Sequence, residues 1–152
     1  LKNINIVEYK KKYAVNAIEI WRLSKAKALG VKDELHSFED HLGFLTHNLI
    51  NTDKVFLAIE EETDAVAGII AFDSEWINQL YVDVNYQNSG IGSRLLDLAI
   101  KTIAGPVQLH TFEVNEKAQS FYEKHGFKVI SRGDCDNEEN LPALLYRLDS
   151  GS

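Results

Sequence analysis

Gln79-Leu80-Tyr81-Val82-Asp83-Val84-Asn85-Tyr86-Gln87-Asn88-Ser89-Gly90-Ile91-Gly92 is an extended apolar segment that breaks into a glycine-punctuated turn. Ser93, Arg94, Leu95 and Leu96 then open a helix. A strand, a Gly-rich turn and a helix N-terminus together present a row of backbone N–H groups at the positive end of a helix dipole, a place suited to a phosphate-bearing ligand. Gly90 and Gly92 matter because a residue without Cβ reaches positive φ and lets a ligand come close. The stretch points to a nucleotide-like cofactor. Two common phosphate loops are excluded: no Gly-Lys-Ser/Thr ends the turn, and no third glycine stands at dinucleotide spacing.

A Gly-x-Gly alone is equally well an ordinary helix start. A second motif decides between the two readings. After another apolar run, Val107 to Val114, comes Asn115-Glu116-Lys117-Ala118-Gln119-Ser120-Phe121-Tyr122-Glu123-Lys124-His125-Gly126-Phe127. Gln87-x-x-Gly90-x-Gly92 followed by Asn-x-x-Ala-x-x-Phe-Tyr-x-x-x-Gly-Phe resembles the GNAT superfamily of acyl-CoA-dependent N-acyltransferases. The resemblance is specific from Gln79 to Phe127 and compatible elsewhere.

That resemblance implies an enzyme moving an acetyl group from acetyl-CoA to a primary amine of a small molecule by direct attack. It implies a diphosphate on the amides of Asn88, Ser89, Gly90, Ile91, Gly92 and Ser93, next to Gln87 of the motif. The pantetheine arm would lie beside Leu80, Tyr81 and Val82 as an extra strand would, with an N–H of Val82 or its neighbour polarising the thioester carbonyl. Tyr122 matches the general acid that protonates the leaving thiolate, with Phe121 beside it. Asn115 is a helix N-cap by residue type, and the resemblance adds a contact to the cofactor arm.

For the base that deprotonates the amine, Glu75, His110 and Glu113 are candidates. Many GNAT-like proteins carry Glu where Gln79 stands, and Gln cannot act as a base. Two alternatives to a small-molecule acceptor stay open: acetylation of a protein or peptide, and a noncatalytic acyl-CoA-binding regulatory module. By the geometry that the resemblance implies, the acidic segment Asp134-Cys135-Asp136-Asn137-Glu138-Glu139 borders the acceptor site; it reads either as a solvated surface loop or as a selector of cationic amines.

The chain has 152 residues and a formal charge of −7, which fits a single domain, residues 1–149, able to build its own core. The negative charge argues against nucleic acid as a partner. With no bilayer-length apolar run and no signal-peptide pattern, the expectation is a cytoplasmic protein without a membrane partner, acting as monomer or homodimer. One cysteine, Cys135, precludes an internal disulfide, and its acidic neighbours disfavour the thiolate. The five histidines show no i,i+4 pairing and no cysteine partners, so no metal is expected and His36, His41, His47 and His125 read as surface or boundary residues. Methionine is absent even at position 1, which suggests an incomplete or processed N-terminus, and residues 150–152 read as a cloning tail.

Elsewhere, Ile4 to Val7 alternates as a first strand, and Tyr13, Ala17, Ile20, Trp21 and Ala28 recur at helical spacing until Gly30. Ser37 with Asp40 signals a helix start before the stripe Leu42, Leu45, Leu49. Val55 to Ile59 and Ala65 to Phe72 form a hairpin. Glu75 to Val84, Val107 to Val114, Phe127 to Ser131 and Leu141 to Leu148 complete the strands. Gly90 to Ile103 and Asn115 to His125 complete the helices. The order βααβββαβαββ predicts an α/β (α+β) fold: a mixed, mostly antiparallel seven-stranded sheet with helices on both faces, splayed between the fourth and fifth strands.

Overall fold

The computed structural model describes residues 3–30, 36–86, 89–133 and 141–149. Its centre is set by Val66-Ala67-Gly68-Ile69-Ile70-Ala71-Phe72, strand β3, in which every residue is buried. Such a run is apolar on both faces, which a strand needs when helices cover both sides. β1 (Ile4–Glu8), β2 (Lys54–Glu60), β3 and β4 (Ile77–Val82) form an antiparallel sheet in that order. β5 (Val107–Phe112), β7 (Ala143–Leu148) and β6 (Lys128–Gly133) form a second antiparallel sheet, ordered β5-β7-β6. Among the described residues, the two sheets are joined by hydrogen bonding at one parallel bridge, Trp76 with Gln108, where the Gln108 N–H donates to Glu75 O at 2.9 Å. The seven strands therefore make the mixed, mostly antiparallel sheet expected from the sequence, splayed between β4 and β5.

α1 (Ala14–Leu29) and α2 (Phe38–Phe44) cover one face, where Ile18, Trp21 and Leu45 pack on Leu57, Ile69 and Ala71. α4 (Ile91–Ile103) and α5 (Glu116–Lys124) cover the other, where Leu95, Leu96 and Tyr122 pack with Ile70, Phe72, Leu109 and Tyr146. Helix ends follow local chemistry. Gly30 closes α1 at φ +72°, a conformation that glycine adopts without strain. Ser37 Oγ accepts from the Asp40 N–H at 3.1 Å and Asp40 Oδ2 accepts from the Ser37 N–H at 3.0 Å, a complete capping box at the start of α2. The helix then widens into a π turn, Leu45–Leu49, before the short α3 (Ile50–Thr52). That widening keeps both Leu45 and Leu49 buried.

Strand lengths differ from the sequence reading, and short polar side chains explain why. Asp73 Oδ1 accepts from the N–H groups of Glu75 and Trp76, which holds residues 73–76 in a turn, so β4 begins at Ile77 and Glu75 precedes it. At its other end Asp83 Oδ1 accepts from Asn85 N–H and starts a 3₁₀ turn, Val84–Tyr86. β5 stops at Phe112, where the Asn115 N–H closes a turn on Phe112 O, so Glu113 lies past the strand rather than on one of its faces. β7 begins after Pro142, which has no N–H for a ladder.

Two phenols tie the layers together. Tyr146, fully buried on β7, donates to Glu123 Oε2 of α5 at 2.6 Å, and burial, with the Glu123 bond and charge, pushes its pKa up to about 12. Tyr86 donates to Glu60 Oε2, and that bond, with desolvation and the Glu60 charge, also pushes it up to about 12. In an unfolded chain both phenols ionise near pH ~10. Above that pH the unfolded state releases protons that the folded state keeps, so stability falls as pH rises from about 10 toward 12 and is untouched by these groups below it. Urea-unfolding midpoints across pH 8 to 11 are expected to hold level and then drop; a level midpoint throughout would contradict these assignments.

Candidate active site

The splay leaves a cleft at the C-terminal end of β4. A cavity of about 570 Å³ runs from Ile91 and Gly92 at the start of α4, past Leu80, Tyr81, Val82 and Tyr86, to Asn115, Ala118, Phe121 and Tyr122. A smaller one, about 110 Å³, continues between β4 and β5 along Asn78, Gln79, Leu109, His110 and Thr111. Ala28, Leu80, Tyr81, Asn115, Ala118 and Tyr122 line both.

At the α4 end, Gly90 caps the helix at φ +85°, a left-handed conformation that strains any residue bearing Cβ. Arg94 N–H makes the first i−4 bond, to Gly90 O at 3.1 Å. The amides of Ile91, Gly92 and Ser93 consequently have no acceptor within the helix and sit at its positive end. Ser89 Oγ donates to Tyr86 O, linking the start of α4 to the end of the 3₁₀ turn Val84–Tyr86. A Cβ on Gly92 would stand 3.3 Å from Phe121 Cζ and 3.7 Å from Val82 Cγ2, so a bare backbone lets α4, α5 and β4 converge on the cavity. Gln87 and Asn88, expected in this loop, lie outside the described residues, as do Cys135 and the acidic segment 134–139.

Along β4, the Asp83 N–H donates to Ala67 O on β3 at 2.8 Å. Alternation then turns the backbone groups of Leu80 and Val82 to the edge facing β5. Val82 O accepts there from Ser24 Oγ of α1 at 3.0 Å. A long ligand laid along this edge meets peptide groups spaced as in a neighbouring strand.

Tyr122 is 8% exposed and borders both cavities. Its ring is fixed by Phe121, Phe127 and Tyr146 at centroid distances of 5.2, 5.7 and 6.2 Å. No described residue hydrogen-bonds its hydroxyl, and burial pushes its pKa well above the ordinary phenol range, so it is neutral and proton-bearing at any physiological pH. Asn115 caps α5 through Oδ1, which accepts from Ala118 N–H at 3.2 Å, and no described residue accepts from its amide nitrogen.

The candidate bases separate. His110 lines the smaller cavity, its ring stacked on Trp76 at 5.1 Å. Glu75 sits in the turn before β4 and Glu113 in the turn after β5, near Arg132 at 3.9 Å, and neither lines either of these two cavities. Gln79 lines the smaller cavity. Among the described residues no group of three or more His, Cys, Asp or Glu is arranged to hold a metal ion, and no helix is long and apolar enough to cross a membrane.

Sequence reasoning missed several lining residues. Ser24, Lys27 and Ala28 of α1 wall the large cavity. Their signal was a hydroxyl, Ser24, on the otherwise apolar stripe Ala17-Ile20-Trp21. Trp21 stacks on Tyr81 at 5.7 Å and carries the helix against the cleft. His41, read as a surface or boundary residue, is 5% exposed; its Nδ1 lies 2.9 Å from Arg22 Nη1, so it accepts from the guanidinium and the ring is the neutral Nε2–H tautomer.

A family model described as acetyltransferase (GNAT) domain matches residues 51–129. A curated relative, peptidyl-lysine N-acetyltransferase YjaB of Salmonella typhimurium, is 27% identical over 139 residues, covering 88% of this chain and 90% of its own. The crystal structure of an acetyltransferase of the GNAT family from Staphylococcus aureus superposes with a TM-score of 0.78 at 27% identity, over 97% of this chain and 99% of that one. PaiA N-acetyltransferase from Thermoplasma acidophilum, in complex with coenzyme A, shares the fold at TM-score 0.74 and 21% identity, over 97% and 99% of the two chains.

Proposed function

The chain belongs to the GNAT acetyltransferase family, and from that premise we propose that it acetylates a slim primary amine by direct attack in the cleft between β4 and β5, with Tyr122 as general acid. The chain is an acetyl-CoA-dependent acyltransferase. Its residues fit that cosubstrate: a long cavity leads from glycine-bared amides along a strand edge to a proton-bearing phenol. Acetyl-CoA bound there supplies an acetyl group activated as a thioester, with a thiolate as leaving group.

The amides of Ser89 to Ser93 would bind the diphosphate through donors that the helix does not use. The β5-facing edge at Leu80 and Val82, with Tyr81 between them lining the cavity, orients the arm, and a preorganised N–H on this edge contributes roughly 3 kcal/mol where carbonyl charge develops. The Asn115 amide nitrogen supplies one more donor, and Phe121 closes the wall. Tyr122 holds its proton at Oη until the sulfur departs. His110, alone among the three candidate bases in lining the smaller cavity, takes the amine proton directly or through water.

The observation that carries the reading is the meeting of the two cavities at Tyr122. For the acceptor, the relatives named peptidyl-lysine N-acetyltransferase favour a lysine side chain of a peptide or protein. The small size of the second cavity favours a free small-molecule amine, which is the second reading. Both present an unbranched primary amine. Both cores draw on β3, which supports reading residues 1–149 as one domain.

Thiol release from acetyl-CoA with lysyl peptides, polyamines and aminoglycosides separates these readings, peptides being expected to turn over fastest. No release above background with any acceptor, despite measurable coenzyme A binding, would contradict transfer. His110→Asn is expected to lower kcat/KM by about tenfold, below the usual range for an acid–base group because water at this exposed site takes over part of the role, and to change the acidic limb of the pH profile. An unchanged limb would remove His110 from the mechanism.

A further inference from the structure

Glu60, at the end of β2, is 5% exposed, a buried carboxylate with no part in the acid–base roles described above. Its surroundings are specific. Oε2 accepts from Thr63 Oγ1 at 2.9 Å, within the β2–β3 hairpin turn, and from Tyr86 Oη, 26 positions away in sequence. Tyr86 lies in the 3₁₀ turn that leads into the amides opening α4, its ring lines the large cavity, and its carbonyl accepts from Ser89 Oγ. A chain of three hydrogen bonds, Thr63 to Glu60, Tyr86 to Glu60 and Ser89 to Tyr86, thus runs from the β2–β3 hairpin to Ser89, next to the Gly90 cap of α4. A buried carboxylate is costly unless its oxygens are paired, and here the pairing is made by the hairpin and by the residue that leads toward α4.

We propose that Glu60 is a positioning residue for acetyl-CoA, acting through Tyr86 and Ser89 to hold the start of α4, whose amides would receive the diphosphate. The inference rests on the acetyl-CoA reading above. Its electrostatics oppose its mechanics: a negative charge near an anion site weakens phosphate binding, whereas the tether preorganises the turn and strengthens it. The two effects separate by substitution. Glu60→Gln removes the charge and keeps an oxygen that accepts from Tyr86 Oη; Glu60→Ala removes both; Tyr86→Phe removes the tether and keeps the charge.

The experiment is calorimetric titration of each folded variant with coenzyme A, beside kcat and KM for acetyl-CoA. Tyr86→Phe and Glu60→Ala are each expected to raise Kd and KM by about tenfold, the scale of one hydrogen bond to a charged group, while kcat stays within about twofold. The double variant is expected to be no weaker than either single one, as in a shared pathway. Glu60→Gln is expected to bind as well as or better than the wild type. A merely structural role would lower kcat and thermal midpoint together without this split. Wild-type-like affinity in folded Tyr86→Phe would overturn the inference, as would Glu60→Gln weakened as much as Glu60→Ala. If Glu60→Ala does not fold, Tyr86→Phe and Glu60→Gln still carry the test. Failure of the wild type itself to bind coenzyme A would instead strike the acetyl-CoA reading.

Discussion

Replacing Tyr122 by Phe is expected to lower kcat by about 10³-fold, the middle of the range for a positioned general acid, while Kd for coenzyme A stays within about twofold. The two rings have the same shape, so packing against Phe121, Phe127 and Tyr146 survives. The hydroxyl has no hydrogen-bond partner among the described residues, so its loss leaves no protein group unsatisfied and stability is expected to hold. What disappears is a proton at the boundary of the two cavities. Because burial raises the phenol pKa, the wild-type profile is expected to rise with pH as base and amine lose protons. It should show no falling limb from Tyr122 below pH ~10, the value for an unperturbed phenol. Steady-state kinetics with titration of coenzyme A checks both numbers; unchanged turnover would remove Tyr122 from the chemistry.

Gly92→Val is expected to weaken coenzyme A binding by at least about tenfold and to cost about 1–3 kcal/mol of stability, the scale of overpacking a filled site. The first added carbon already stands 3.3 Å from Phe121 Cζ. The γ-methyl groups of valine would force the first turn of α4 away from α5 and β4. Since that turn carries the amides of Ile91, Gly92 and Ser93, the displacement acts on packing and ligand site together. Gly90→Ala is the contrasting case. Nothing lies within 4 Å of its Cβ position, so only the backbone strain of φ +85° opposes it, and a loss of about 1 kcal/mol is expected. Urea unfolding and calorimetry on both variants check this; a folded Gly92→Val with wild-type affinity would contradict the role given to the convergence of α4, α5 and β4.

Much of the fold was legible because its determinants are local. Gly30, Gly90 and Gly126 stand where the backbone turns left-handed, at φ +72°, +85° and +92°, and glycine is the residue type that marks such turns. Ser37 and Asp40 announce a capping box three residues apart, and Val66 to Phe72 can be apolar throughout because it lies between two layers. The site was less legible because its determinants meet across the sheet. Glu75 and Glu113 read as strand residues from alternation alone, but Asp73 and Asn115 end the ladders by capturing nearby backbone groups. That left His110 at the smaller cavity. Glu60 closes a strand in sequence and looks like a turn residue; only folding brings Tyr86 to it. His41 and Ser24 were hidden for the same reason, since their partners Arg22 and Val82 belong to other elements.

The central claim is that the Tyr122 phenol, where the cosubstrate and acceptor cavities meet, faces the leaving sulfur. A crystal structure with bound coenzyme A measures this directly. The account predicts the diphosphate on the amides between residues 89 and 93 and the thiol sulfur within hydrogen-bonding distance of Tyr122 Oη. A coenzyme whose diphosphate sits elsewhere, or whose sulfur lies away from a hydroxyl turned into packed side chains, would contradict it.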